Sequence, residues 1–225
     1  GTPAITGMSH KLRDVTDRFI LTGSDGKAYE DSANPPVAKA GGTDFTTGAD
    51  NLTRMDVHEQ MMVIVSRLRD LPQTINSSGV KANLGGTPPQ GLDYKVYGRY
   101  GHMFSPTVAG TIHYEKLSFN SAVDDHDIWA NPVTTNFLNF GRPGSGVMVG
   151  GGEVHADHLM TYTQDKVFPV YTTPLATLPF AFQKEIFSEE GGGPVGAHAL
   201  QSGNESVYWL SNNMSVKRQM GFVVK

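Results

Sequence analysis

The densest run of metal-type side chains is Glu153-Val154-His155-Ala156-Asp157-His158. Imidazole and carboxylate together form the donor set of zinc and non-haem iron, where two histidines and one carboxylate suffice. On a single strand, His155 and Asp157 would share one face and His158 would point away. The His-x-x-His order, with its glutamate upstream, also departs from the His-x-His strand of a cupin-like site. The run is therefore expected to be a polar loop or a subunit contact. A cupin-like or β-sandwich metalloenzyme using His155 and His158, with Glu153 or Asp157 as the carboxylate, is the alternative.

Asp124, Asp125 and Asp127 crowd three carboxylates around His126. The frame of an EF-hand calcium loop, with its glycine and closing glutamate, is absent, so a loop before Ile128-Trp129 is expected. Gly141-Arg-Pro-Gly144-Ser-Gly146 is glycine-rich but carries no dinucleotide fingerprint and no Gly-Lys-Ser/Thr, so it is expected to turn the chain. Neither a GxSxG elbow nor an HExxH pair occurs, and no catalytic residue, cofactor or enzymatic activity is expected. Tyr94, Tyr97, Arg99 and Tyr100, with Trp129 and Trp209, are expected to serve an interface. Tyrosine, tryptophan and arginine give large contact area at low entropic cost. The same tyrosines and Trp209 could stack on a sugar, which keeps a carbohydrate-binding module open as a further alternative.

These residues sit in a chain of 225 with no cysteine, which removes disulfides, thiolate metal sites and a cysteine nucleophile. Eighteen basic and twenty-two acidic residues give a net charge of −4, with no Lys/Arg run to neutralise a phosphate track. Sequence-specific nucleic-acid binding is not expected. Nor is a membrane span, because no apolar stretch is long enough, and the N-terminus shows no basic-then-apolar signal. Only 18% of residues are charged, and 26 are glycine. That balance suits short strands joined by turns, and surfaces that will be covered, because burying Thr or Asn costs less than burying Lys or Glu.

The elements that must hold these groups are mostly strands. Residues 1–50 are expected to form an extended N-terminal arm, with a possible hairpin where Ser24-Asp25-Gly26 separates Arg18–Thr22 from Lys27–Glu30. Residues 51–225 are expected to be a single β-rich domain. Within it, Val57, Met61, Ile64, Val65 and Leu68 draw a helical stripe, so one amphipathic helix is expected over about 53–70, ended by Pro72. Beyond Pro72 the period changes to two, with glycine and proline punctuating at least seven short strands. The expected fold is mainly β: an antiparallel sandwich or jelly roll with one helix and long ordered loops. The functional expectation is a structural protein that assembles with copies of itself, in the setting of a virus or bacteriophage shell or virion, with other virion proteins as further partners. Low charge and missing chemistry carry that expectation, since a self-complementary tile needs surface and no pocket.

Overall fold

The computed structural model describes residues 3–11, 18–67, 69–129, 136–141, 148–203 and 205–225. The Gly141–Gly146 turn therefore falls almost wholly outside the described residues. The chain is mainly β, and its strands are antiparallel and fall in consecutive groups. The first sheet is β1 (Ile5–Lys11), β2 (Arg18–Gly23), β3 (Ala28–Glu30) and β4 (Val37–Ala38). The second is β5 (Thr53–His58), β6 (Met61–Ser66), β7 (Gln73–Ile75) and β8 (Lys81–Asn83). The third starts with β9 (Asp93–Tyr97) and β10 (Tyr100–Phe104). A small hairpin, β11 (Thr107–Val108) and β12 (Thr111–Ile112), interrupts it before β13 (Lys116–Phe119) and β14 (Phe137–Asn139) complete it. The fourth is β15 (Met148–His155), β16 (His158–Thr163), β17 (Lys166–Thr172) and β18 (Phe180–Phe182), with β19 (Phe187–Ser188) also paired to β17. The fifth is β20 (Leu200–Ser202), β21 (Val207–Leu210), β22 (Val216–Met220) and β23 (Val223–Val224).

Within each sheet the strands pair in chain order, so each sheet is a meander. The first strands of successive sheets pack side by side: β1 on β5, β5 on β9, β9 on β15 and β15 on β20. Four apolar cores separate the five sheets. Ile20, Ala28 and Phe45 meet Met62, Ile64 and Ile75 between the first and second. Val63 and Val65 meet Tyr94 and Met103 between the second and third. Phe104, Leu117 and Phe119 meet Leu159, Phe168 and Phe180 between the third and fourth. Met160, Tyr162 and Val167 meet Leu200, Val207 and Trp209 between the fourth and fifth. Radially stacked four-stranded sheets around a line of inner strands form the arrangement of propeller blades. The expected two-layer sandwich or jelly roll is thus replaced by five sheets in an arc. Residues 5–11 and 18–38, expected as part of an extended arm, form the first of them.

The helix expected over 53–70 is instead the hairpin β5–β6, with His58 paired to Met61 across Glu59-Gln60. Glu59 takes the left-handed φ of 53° that closes so tight a turn. The misreading has a physical cause. Strand β6 is buried on both faces, with Met62 and Ile64 entering one core and Val63 and Val65 the next. A strand of that kind has no polar alternation, and its continuous apolar run satisfies helical spacing as well. The β-branched Val63-Ile64-Val65 then favours the extended form.

The triple glycine 150–152 answers to crowding at the inner strands. A Cβ at Gly151 would lie 2.4 Å from the Leu200 side chain, and one at Gly152 would lie 2.2 Å from the Phe104 ring. Strand β15 therefore fits between β9 and β20 only without side chains there.

Replacing Glu59 by glycine separates hairpin from helix. The hairpin predicts a gain of about 1 kcal/mol, because glycine takes φ > 0 without the left-handed penalty, whereas a helix would lose about as much. Urea unfolding of Glu59→Gly measures the sign.

Candidate functional site

The run 153–158 is not one strand but the tip of the β15–β16 hairpin. Ala156 and Asp157 form its two-residue turn, with φ of 49° and 60°, so His155 and His158 stand directly opposite each other. The histidines that a single strand would place on opposite faces therefore share one. The Nε2 of His155 accepts the Gly221 N–H at 2.8 Å, and His158 pairs through Nδ1 with the Ala156 carbonyl and packs against Phe222. Glu153 is committed elsewhere, and among the described residues no three His, Asp or Glu side chains converge as a metal site.

The acidic run is equally occupied. Asp124 accepts the Arg99 guanidinium, with one bond at 3.0 Å, and Asp127 accepts the Gly85 N–H at 2.9 Å. Trp129 is buried and donates its indole N–H to the His126 carbonyl at 2.7 Å. Tyr94 is fully buried, with its hydroxyl 2.9 Å from His58 Nδ1, and Trp209 is buried against Tyr162 and donates to the Gly192 carbonyl. Tyr97 donates to the Asp157 carbonyl at 2.8 Å, and Tyr100 stacks edge-on against Phe119 and Phe180. Aromatics expected to meet a partner or a sugar are thus used between the chain's own sheets.

The charged cluster the structure does build joins residues from four sheets. Arg54 on β5 donates to Asp93 on β9 at 3.1 Å and reaches past it to Glu153 on β15 at 2.9 Å. Glu153 also accepts Lys95 of β9 at 3.1 Å and the Ser202 hydroxyl of β20 at 2.6 Å. The second oxygen of Asp93 accepts the Gly152 N–H at 3.1 Å. Two cations face two anions, all largely out of water. Burial alone would lift the Glu153 carboxyl, but Lys95, Arg54 and Ser202 outweigh it and hold it below the usual glutamate range. Fully buried Asp93 is lifted above the ordinary aspartate range by burial, which exceeds the opposing pull of Arg54 and Lys95. Toward the first sheet the joint is uncharged: the Thr22 and Thr53 hydroxyls meet at 2.7 Å. The sequence reading missed Arg54, Asp93 and Lys95. The available signal was ionisable side chains inside otherwise apolar strands, as in Leu92-Asp93-Tyr94-Lys95-Val96.

Among the described residues, the first and fifth sheets each present an apolar face that no other sheet covers. On the fifth sheet, Val207, Trp209 and Gln219 face inward, leaving Tyr208, Leu210, Val216 and Met220 on the outward face with Val223. Val216 is 73% exposed there. On the first sheet, Ile20, Thr22 and Ala28 face inward, and the outward face carries Phe19, Leu21 and Tyr29 beside Met8. A register shift after Ile5 brings Ile5 onto that same face, and both Ile5 and Met8 are 66% exposed. Among the described residues β20 and β1 do not pack on each other as the other inner strands do, so the arc is open.

No protein-family description and no curated protein matches the chain. Among solved structures, BamB from Moraxella catarrhalis is similar, with a TM-score of 0.53 at 13% identity over 98% of this chain and 59% of that one. The computationally designed Ika8 protein has a TM-score of 0.49 at 8% identity, over 97% of this chain and 59% of that one. Hsv2 from Kluyveromyces lactis has a TM-score of 0.47 at 12% identity, over 100% of this chain and 63% of that one. The likeness to BamB is one of fold. The chain spans less than two thirds of the length of each.

His102 gives the site region a pH dependence. Burial among Phe119, Phe180 and Tyr97 pushes its imidazole down to about 3 from 6.5. The unfolded chain takes up this proton near 6.5 and the folded chain only near 3, so stability falls as pH drops through that window. The slope due to this group is about 1.4 kcal/mol per pH unit. Urea unfolding of the wild type and of His102→Phe between these limits is expected to differ in slope by about one proton.

Proposed function

We propose that the chain is a structural protein that assembles with copies of itself by adding sheet to sheet. The observation that carries this is the pair of apolar end faces. The second, third and fourth sheets bury both faces in the four cores, whereas the first and fifth each bury one and expose the other. Both halves of an interface are therefore present on one chain. Seating the outward face of the fifth sheet on the first sheet of another copy would repeat the packing that already joins sheet to sheet within each copy.

The chemistry of the two faces is complementary. Tyr208, Leu210, Val216 and Met220 would meet Ile5, Met8 and Phe19, giving apolar area on both sides. Arg218 lies over the Tyr208 ring on one face, and Asp25 accepts the Tyr29 hydroxyl beside the other, so each face also brings one charge, of opposite sign. A contact between two different faces is heterologous, and it closes into a ring or propagates as a chain according to the rotation between copies. The fold adds no argument for a virus shell over other assemblies, so the proposal stops at self-association. The hydrogen bond from Gly221 to His155 Nε2 and the burial of Tyr94 and Trp209 favour self-association over a metalloenzyme or a sugar platform.

Light scattering on size-fractionated protein over a range of concentrations tests the reading with two variants, Met8→Glu and Val216→Glu. The wild type is expected to grow in mass with concentration. Each variant alone is expected to stay monomeric, because one face of the joint is blocked. Mixed together they are expected to form a one-to-one dimer and stop, since one supplies an intact first sheet and the other an intact fifth. A wild type that stays monomeric at every concentration overturns the proposal, and a mixture that does not pair overturns the head-to-tail geometry.

A further inference from the structure

The segments that lead into β5, β9 and β20 converge with the turn after β6 and the turn between β16 and β17. They line an open cavity of about 520 Å³, within the range of small-molecule sites. Leu52, Leu92, Val195 and Ala197 give it apolar surface, while Arg67, Gln164 and His198 give it polar groups. Among the described residues no Asp or Glu lines it. Arg69, also in the lining, is committed: it donates to the Ser105 carbonyl and, at 3.0 Å, to Thr107, and its guanidinium lies over the Tyr114 ring.

Arg67 is different. Its backbone N–H is used by the Leu52 carbonyl, but among the described residues its guanidinium has no hydrogen-bond or ion-pair partner. His198, on the rim, stands within electrostatic reach of both Arg67 and Arg54. Partial removal from water, followed by those two charges, holds its ring down at about 4, so it is a neutral hydrogen-bonding group at pH 7. Arg54 has its charge answered by Asp93 and Glu153, whereas that of Arg67 is not answered by any wall of the cavity. An exposed guanidinium with no acidic partner among the described residues, in the lining of a partly apolar cavity, can receive a planar or tetrahedral oxyanion on an apolar body.

We propose that this cavity binds a small amphipathic anion, a carboxylate or phosphate ester, with its oxyanion on Arg67 beside His198 and its apolar body against Leu52, Leu92 and Val195. The lining uses none of the side chains placed on the exposed faces of the first and fifth sheets, so blocking those faces by Met8→Glu or Val216→Glu leaves its lining side chains intact. Phenylacetate and phenyl phosphate probe the two head groups, and benzyl alcohol is the uncharged analogue.

Calorimetric titration of the full chain with the three probes tests the site. At least one anion is expected to saturate it, and the tighter of the two identifies the head group. Benzyl alcohol is expected to bind about tenfold or more weaker than that anion, since a charge-assisted bond contributes at least about 1.4 kcal/mol. Arg67→Gln is expected to weaken the anion by a similar factor with little change in the thermal melting point, because among the described residues its guanidinium makes no hydrogen bond or ion pair to lose. Lys184→Gln, on the exposed turn between β18 and β19, is expected to change neither. Equal binding of benzyl alcohol, an Arg67→Gln variant that binds the anion as the wild type does, or no saturation by roughly 10 mM of either anion overturns the proposal.

Discussion

The inner strands can stand this close only because the charges they carry are answered across sheets. Arg54, Asp93, Lys95 and Glu153 come from three different sheets, and Ser202 from a fourth, yet each meets its partner at 2.6–3.1 Å. Buried charge is costly unless paired, and removing one member of such a set leaves another stranded out of water. The cluster therefore acts as a registration device: β5, β9, β15 and β20 have one mutual placement in which two cations and two anions are all satisfied. The glycines of β15 follow from that placement, because side chains at Gly151 and Gly152 would collide with Leu200 and Phe104. The four apolar cores supply the bulk of the driving force, and the ion pairs select which packing of the sheets is allowed.

From this constraint the arc follows, and from the arc its ends. A sheet with neighbours on both sides presents two apolar faces, which is why Met62 to Val65 are all fully buried. The first and fifth sheets are made to the same pattern, and each therefore carries one apolar face more than the chain itself covers. Self-association is the proposed use of those faces. The cavity is also a product of the arc, since the segments leading into the inner strands must converge at one end of it.

How much of this could be read in the sequence depends on how far apart the interacting residues lie. Alternation over Leu92–Tyr97, Val207–Leu210 and Met214–Val224 marks strands directly, because a strand needs only its own neighbours to show its period. The run Met61–Val65 misleads for the same local reason: burial on both faces removes the polar alternation, and helical spacing is then met as well. The turn at Ala156-Asp157 contains neither glycine nor asparagine, so nothing in its residues separates a six-residue strand from a hairpin tip, and His155 and His158 are misplaced as a consequence. Arg54 and its partners are illegible for another reason. They are separated by 39 and 99 residues along the chain, and only the stacking of sheets brings them together. Tyr94, Trp129 and Trp209 show the limit of residue type as a guide, since the anchors expected at an interface with a partner are used between the chain's own sheets.

The central claim is that Arg54 and Glu153 act as one unit holding separate sheets in register. A double-mutant cycle with Arg54→Met and Glu153→Gln, read by urea unfolding at neutral pH, measures it directly. A coupling of about 1.5 kcal/mol or more is expected, the double variant being less damaged than the sum of the single ones. Additivity within about 0.5 kcal/mol would contradict it.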